Sequence, residues 1–199
     1  MTVDIYSSSN FESEFEPEVI ERGKKVKLVI ADVDGVLTDG SIYKAKDPAT
    51  FRDIEFKQFS IVDGAGIALA RLLDLRVAII SGRPSSATDA RVKELKIADV
   101  YTGLLNKMTP YEDLKLKYSL NDEDIAFIGD DIIDLNLMEN VGAPIAVANA
   151  YHLVKDIAIY ITRLSGGQGA FREAIDWIAM CQGRYEKGIQ LMKESLLTK

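Results

Sequence analysis

A few polar residues in this chain have the types and spacing for chemistry on phosphorus. Asp32 and Asp34 lie two apart in Asp32-Val33-Asp34-Gly35-Val36-Leu37-Thr38-Asp39-Gly40. Ser81 begins Ser81-Gly82-Arg83, Lys107 precedes a helical pattern, and Gly129-Asp130-Asp131 is followed by Asp134. Carboxylates about 4 Å apart repel by roughly 4 kcal/mol per pair at an effective dielectric near 20, so a cluster of them stays ionised only around a cation. An all-oxygen ligand set suits Mg²⁺, and one His with one Cys leaves zinc few ligands. Beside such a cation, Lys107 neutralises a phosphate, Ser81 donates a hydrogen bond to it, and an aspartate attacks phosphorus. Asp34 points back toward the pocket of Asp32. There it can protonate a leaving alkoxide and then take a proton from the attacking water.

These residues need a frame that gathers them. Short apolar runs lead into three of the groups, over 27–31, 77–80 and 125–128, and a fourth covers 144–147. Each is apolar on both alternating faces, as strands buried in a parallel sheet are. Helical patterns lie between them over 67–73, 87–95 (capped by Ser85 or Ser86), 108–118 and 132–141. The alternation predicts an α/β fold, a doubly wound, Rossmann-like parallel sheet with right-handed crossovers. Ligands of such sheets bind outside the carboxyl ends of the strands, where all these polar groups fall.

The segment 40–59 breaks the alternation. Ser41-Ile42-Tyr43 and 53–57 read as strands joined across Asp47-Pro48, a small inserted β-hairpin and no separate cap domain. Residues 1–16 read as a frayed tail, Pro17 opens a short helix through Glu21, and Gly23 ends it. The expected organisation is an N-terminal extension over 1–25, one catalytic domain over 26–182 and a C-terminal helix over 183–199. On that helix Tyr185, Ile189, Met192 and Leu196 form a stripe for core or subunit contact.

Composition sets limits on partners. The 31 acidic and 24 basic residues among 199 give a charge of −7, which argues against nucleic acid and anionic membranes. Single Cys181 excludes an internal disulfide and sits on the expected core face with Phe171, Ala174 and Ile178. No apolar run reaches the roughly 20 residues needed to cross a bilayer. The acidic start, with Asp4, Glu12, Glu14, Glu16 and Glu18, lacks the charge of a targeting peptide. A cytoplasmic protein is expected.

In order, the Asp32–Gly40 string, Ser81-Gly82-Arg83, Lys107 and Gly129-Asp130-Asp131 with Asp134 resemble the four motifs of the haloacid dehalogenase superfamily of phosphatases. Further strings narrow the resemblance to the 3-deoxy-D-manno-octulosonate 8-phosphate phosphatase family. These are the hairpin, Asp63-Gly64-Ala65-Gly66-Ile67, Arg83 with Arg91, and 161–173 with its Gly166-Gly167-Gln168-Gly169 loop. The resemblance spans about residues 26–185. It implies a Mg²⁺-dependent phosphatase with Asp32 as nucleophile and metal ligand, Asp34 as acid/base lending its carbonyl to the metal, and Asp130 as the remaining ligand. Asp131 and Asp134 would support these ligands, and Ser81 and Lys107 would hold the phosphoryl group. Asp34, Ser60, Asp63, Gly64, Arg83, Arg91 and Lys107 would bind the substrate, a small phosphorylated sugar acid. Guanidinium forks suit its carboxylate. Where the family carries cations this chain has 60–62 ending in Val62, and also Ala68 and Gln168, so a nine-carbon ulosonate 9-phosphate or another small sugar phosphate stays open. His152 follows the fourth strand on the ligand side. A phospho-accepting signalling receiver shares the acidic cluster, hydroxyl and lysine, but needs no acid/base at Asp34. With no cap domain to exclude water, the hairpin, apolar at Ile42, Tyr43, Ile54 and Phe56, and the loop 166–169 are expected to cover neighbouring sites in a homotetramer.

Overall fold

The computed structural model describes residues 11–197. The chain begins with α1 (Phe11–Glu14) and α2 (Pro17–Lys25), then enters the sheet at β1 (Leu28–Ala31). A hairpin of β2 (Tyr43–Lys46) and β3 (Asp53–Phe56) follows, then α3 (Ile61–Leu72), β4 (Arg76–Ser81), α4 (Ser86–Glu94) and β5 (Asp99–Thr102). The second half runs α5 (Met108–Tyr118), β6 (Ile125–Gly129), α6 (Leu135–Met138), β7 (Ala143–Ala146), α7 (His152–Ile157) and β8 (Tyr160–Ile161). It closes with α8 (Ala170–Cys181) and α9 (Tyr185–Leu197). No helix among the described residues is long and apolar enough to cross a membrane.

Six strands form one parallel sheet in the order β5-β4-β1-β6-β7-β8. Strand β1 is its centre: Leu28 pairs with Arg76 on one side and Ile125 on the other, Ala31 with Ile79 and Ile128. All four β1 residues and all five of β6 are buried, which is why these runs carry apolar residues on both faces. From β1 the chain fills the β4 side first and then returns to β6. The reversal opens the sheet at the carboxyl ends of β1, β4 and β6, where Asp32 and Asp130 follow their strands and Ser81 is the last residue of its own.

Several elements differ from the sequence expectation. Residues 1–10 of the expected tail lie outside the described residues, but 11–16 are not frayed. Phe11 is buried, and Phe15 packs edge-on against Tyr160 and Trp177, which stack on each other at 4.7 Å. The i, i+4 pair of phenylalanines was the signal for that short helix. Gly23 does not end α2 but lies inside it, because a Cβ there would meet Cys181 Sγ at 2.6 Å; the glycine lets α2 close on α8. Helix α3 starts six residues earlier than the apolar pattern, since Ser60 caps it by accepting from the Val62 N–H at 3.1 Å. The expected helix over 132–141 is a 3-10 turn, Ile132–Asp134, plus the one-turn α6. Strands β5 (four residues) and β8 (two residues) are too short to carry an alternation pattern in the sequence.

The hairpin stands apart from the main sheet, with Tyr43 opposite Phe56 and Lys46 opposite Asp53. Its turn is longer than Asp47-Pro48 alone: Asp47 Oδ1 accepts from the Ala49 and Thr50 N–H groups at 2.8 Å each. Ile42, Tyr43, Phe51 and Phe56 are exposed, whereas Ile54 is half-buried. Of the C-terminal stripe, the Leu196 side chain lies outside the described residues. Helix α9 packs on α3, where Gly188 sits against Leu69 and Leu73.

Candidate active site

Past β1 the main chain tightens into a loop. The N–H groups of Val36, Leu37 and Thr38 all donate to the Val33 carbonyl, at 3.3, 3.0 and 3.0 Å. Gly35 takes φ +91°, and a Cβ on it would fall 1.9 Å from Asp130 Oδ2. Only glycine lets the loop lie this close to the next carboxylate.

Four charged groups meet there, Asp32, Asp134 and Lys107 buried and Asp130 half-buried. Lys107 Nζ lies 2.9 Å from Asp32 Oδ2 and 2.6 Å from Asp134 Oδ1. The other Asp134 oxygen accepts the N–H groups of Asp130 at 2.9 Å and Asp131 at 3.3 Å. Asp32 Oδ1 accepts the Val33 N–H at 2.6 Å. Asp32, Asp130 and Asp134 each bring a carboxylate oxygen within 4.8 Å of the others. Asp130 Oδ1 is buried with no hydrogen-bond partner.

Three carboxylates crowd one lysine, which pairs with Asp32 and Asp134, and the imbalance appears in the titration of Asp32 and Asp130. Burial pushes the Asp130 carboxyl up to about 8, with Asp134 and Asp32 adding repulsion. Burial pushes Asp32 up to about 6, against the pull of Lys107. Burial alone would lower Lys107, but Asp32 and Asp134 hold it above its ordinary value. A divalent cation among hard oxygens would offset the excess negative charge, and the unpartnered Asp130 Oδ1 offers it a ligand. The donor set therefore fits such an ion. Asp134, with both oxygens already engaged, fits a supporting place beside it.

Ser81 is buried at the end of β4, its Oγ accepting the Arg83 N–H at 3.4 Å. Asp34 pairs through Oδ1 with Lys57 Nζ at 2.7 Å. Arg83 pairs with Glu55 at 2.5 Å, and Glu55 also accepts from Ser85 Oγ at 2.9 Å. Arg91 donates to the Ser60 carbonyl at 3.2 Å and pairs with Glu94 at 2.9 Å. A Cβ on Gly64 would lie 3.0 Å from its Nη2. Arg83 is thus linked toward Asp34 through Glu55 and Lys57, and Arg91 lies against Ser60 and Gly64 at the start of α3. Asp63 is engaged through one oxygen. Its Oδ1 accepts the Arg172 N–H at 3.0 Å at the start of α8, and burial pushes its carboxyl up to about 6.

The remaining expected residues are peripheral. Asp131 is exposed and caps the 3-10 turn through the Ile132 N–H at 2.7 Å. His152 is exposed and stacked on Tyr151, with ring centroids 4.3 Å apart. The loop 166–169 packs against its own chain: Gly167 N–H donates to the Val36 carbonyl at 3.0 Å, and Asn149 Oδ1 accepts the Gly166 N–H at 2.9 Å. Lys57 and Glu55 are the residues that sequence reasoning missed. Their signal was the period of two, which places Asp53, Glu55 and Lys57 on the face of β3 opposite Ile54 and Phe56.

The chain is similar to known proteins in sequence and in fold. A model of haloacid dehalogenase-like hydrolases matches residues 90–170. The 3-deoxy-D-manno-octulosonate 8-phosphate phosphatase of Escherichia coli K12 is 40% identical over 170 residues, covering 85% of this chain and 88% of that protein. The crystal structure of the Yersinia pestis phosphatase of that name superposes with TM-score 0.80 at 39% identity, covering 85% and 89% of the two chains. That from Moraxella catarrhalis, in complex with a magnesium ion, a phosphate ion and a KDO molecule, gives 0.81 at 33% identity, covering 88% and 98%.

Proposed function

Since the chain belongs to the 3-deoxy-D-manno-octulosonate 8-phosphate phosphatase family of haloacid dehalogenase-like hydrolases, and is a phosphoric monoester hydrolase, we propose that its substrate is that eight-carbon sugar acid phosphate, cleaved with Mg²⁺ through an aspartyl phosphate. The observation that carries the reading is the buried cluster of Asp32, Asp130 and Asp134 around Lys107, with Asp34 two residues beyond Asp32.

Asp32, the Asp34 carbonyl and Asp130 would hold the ion. When bound it supplies positive charge to the phosphoryl oxygens. The Asp32 carboxylate attacks phosphorus and the ester P–O bond breaks, with Asp34 giving its proton to the departing alkoxide. A water then attacks the same phosphorus as Asp34 takes one of its protons, so inorganic phosphate leaves and Asp32 is restored. Lys107 and Ser81 hold the phosphoryl oxygens throughout, and hydrogen-bond donors fixed before reaction cost no reorganisation during it. Arg83 and Arg91 take the sugar carboxylate: Arg83 Nη1 and Arg91 Nε are buried without partners. Ser60 and Gly64 shape that side of the pocket. Asp63 acts on it indirectly, by seating α8.

A cytoplasmic homotetramer completes the reading. An isolated two-stranded hairpin is marginal in water, and this one exposes Tyr43, Phe51 and Phe56, so it should pack on copies of itself. Phosphate release from eight- and nine-carbon ulosonate phosphates and from neutral hexose phosphates, with Mg²⁺ or EDTA, tests the substrate; preference for the neutral sugars overturns it. Val62, exposed where the family carries a cation, makes the nine-carbon acid the comparison to watch. Asp32→Asn should leave no covalent phosphate after acid quench. Phe51→Asp with Phe56→Asp should lower the mass seen by light scattering from four chains, with loss of rate; a fully active monomer overturns the assembly.

A further inference from the structure

Lys57 follows β3 in the hairpin, yet its side chain is wholly buried. Its ammonium touches three elements. Asp34 Oδ1 in the catalytic loop lies at 2.7 Å, Thr88 Oγ1 in the first turn of α4 at 3.3 Å, and Glu55 Oε1 on the hairpin at 4.0 Å. Glu55 is tied in turn to Arg83 and Ser85, in the loop after β4 and at the cap of α4. Burying an ammonium is expensive unless it is paired and hydrogen-bonded, and here it also lies near the N-terminal, positive end of a helix. Local stability gives no reason to spend a lysine at this place. Its partner does: both Asp34 oxygens are buried without a hydrogen bond, and Oδ1 is held by the ion pair with Lys57 at 2.7 Å while Oδ2 has no ion pair either.

We propose that Lys57 is a positioning residue for the reaction, holding the Asp34 carboxylate by one oxygen so that the other faces the proton in transfer. Thr88 fixes the ammonium from one side and Glu55 from another. The hairpin thereby reaches its own subunit's acid/base directly, in addition to any contact it makes with neighbours. The inference rests on the proposed acid/base role of Asp34. A general acid must be aimed at the leaving oxygen, and displacement by about 1 Å costs on the order of 10²-fold in rate. A sugar alkoxide is a poor leaving group and needs that proton. A nitrophenolate leaves without it.

The test compares kcat/KM, which reports the steps through ester cleavage, for 3-deoxy-D-manno-octulosonate 8-phosphate and for p-nitrophenyl phosphate. Lys57→Met should lose on the order of 10–10²-fold on the sugar phosphate and little on the aryl phosphate. Lys57→Arg should recover part of the sugar-phosphate rate. Thr88→Val removes one hold on the ammonium and should show the same selective loss at smaller size, so the test stands if Lys57→Met does not fold. Equal losses on both esters, or none on either, overturn the positioning role. Asp34→Asn measured alongside separates the premises. If it keeps full rate on the sugar phosphate, the acid/base reading itself fails; if it shows the selective loss and the Lys57 and Thr88 variants do not, only the role of Lys57 fails.

Discussion

Replacing Gly166 by alanine puts a methyl group where the main chain of the catalytic loop already lies. A Cβ there would fall 1.7 Å from the Gly35 carbonyl oxygen, 2.5 Å from its carbon and 2.9 Å from the Thr38 carbonyl oxygen. Ordinary contact begins at 3.4 Å, and all three neighbours are backbone, so no rotamer change relieves the overlap and the two loops must part. Overpacking of this kind costs about 1–3 kcal/mol. Losing the Gly167 N–H to Val36 carbonyl bond adds about 1 kcal/mol. A total near 2–4 kcal/mol should lower the melting temperature by roughly 4–16 °C for a domain of this size. Rate should fall as well, because Gly35 has no slack on its other side, where Asp130 Oδ2 would be 1.9 Å from a Cβ. Gly183→Ala is the control. It has open space around it but φ +62°, so it should cost only about 1 kcal/mol of backbone strain and leave the rate unchanged. Urea unfolding and phosphate release would be measured on both variants. If Gly166→Ala unfolds with Gly183→Ala and turns over at the wild-type rate, the clamp of the 166–169 loop on the catalytic loop is wrong.

Two further outcomes follow from buried carboxyls. Asp63, raised to about 6 by burial, binds its proton more tightly folded than unfolded, so its contribution favours folding below about pH 4 and is lost as pH rises through 6. Asp63→Asn, whose amide oxygen can accept the same Arg172 N–H, should flatten that decline by up to about 3 kcal/mol in urea unfolding; an unchanged slope between pH 4 and 7 would refute the assignment. Without metal, Asp130 is raised to about 8, chiefly by burial, so at pH 7 Mg²⁺ must displace a proton from it. Calorimetry in buffers of different ionisation enthalpy should find about one proton released, with affinity rising no more than about tenfold per pH unit toward 8. Affinity independent of pH would contradict it.

The sequence alone determined the strands that reach the site, because β1 and β6 are buried on both faces and only continuous apolar runs survive there. It also determined which polar residues follow those strands, since Asp32, Ser81 and Asp130 are read directly from where each run stops. Lys107 was legible as the residue that caps a long periodic helix. Tertiary structure decided the rest. Asp134 joins Asp32 and Asp130 because Lys107 and the N–H groups of Asp130 and Asp131 hold it there, a geometry that spacing does not contain. Asp63 looks like a pocket residue in its string, but α8, more than a hundred positions later, brings the N–H that claims it. Phe11 and Phe15 read as part of a polar tail until Tyr160 and Trp177 supply the surface they cover. The sequence marks Lys57 only as part of a hairpin strand, because its partners Asp34 and Thr88 come from two other segments. Local pattern records what each residue can bury or bond, whereas the partner it meets depends on which distant segments the sheet order brings together.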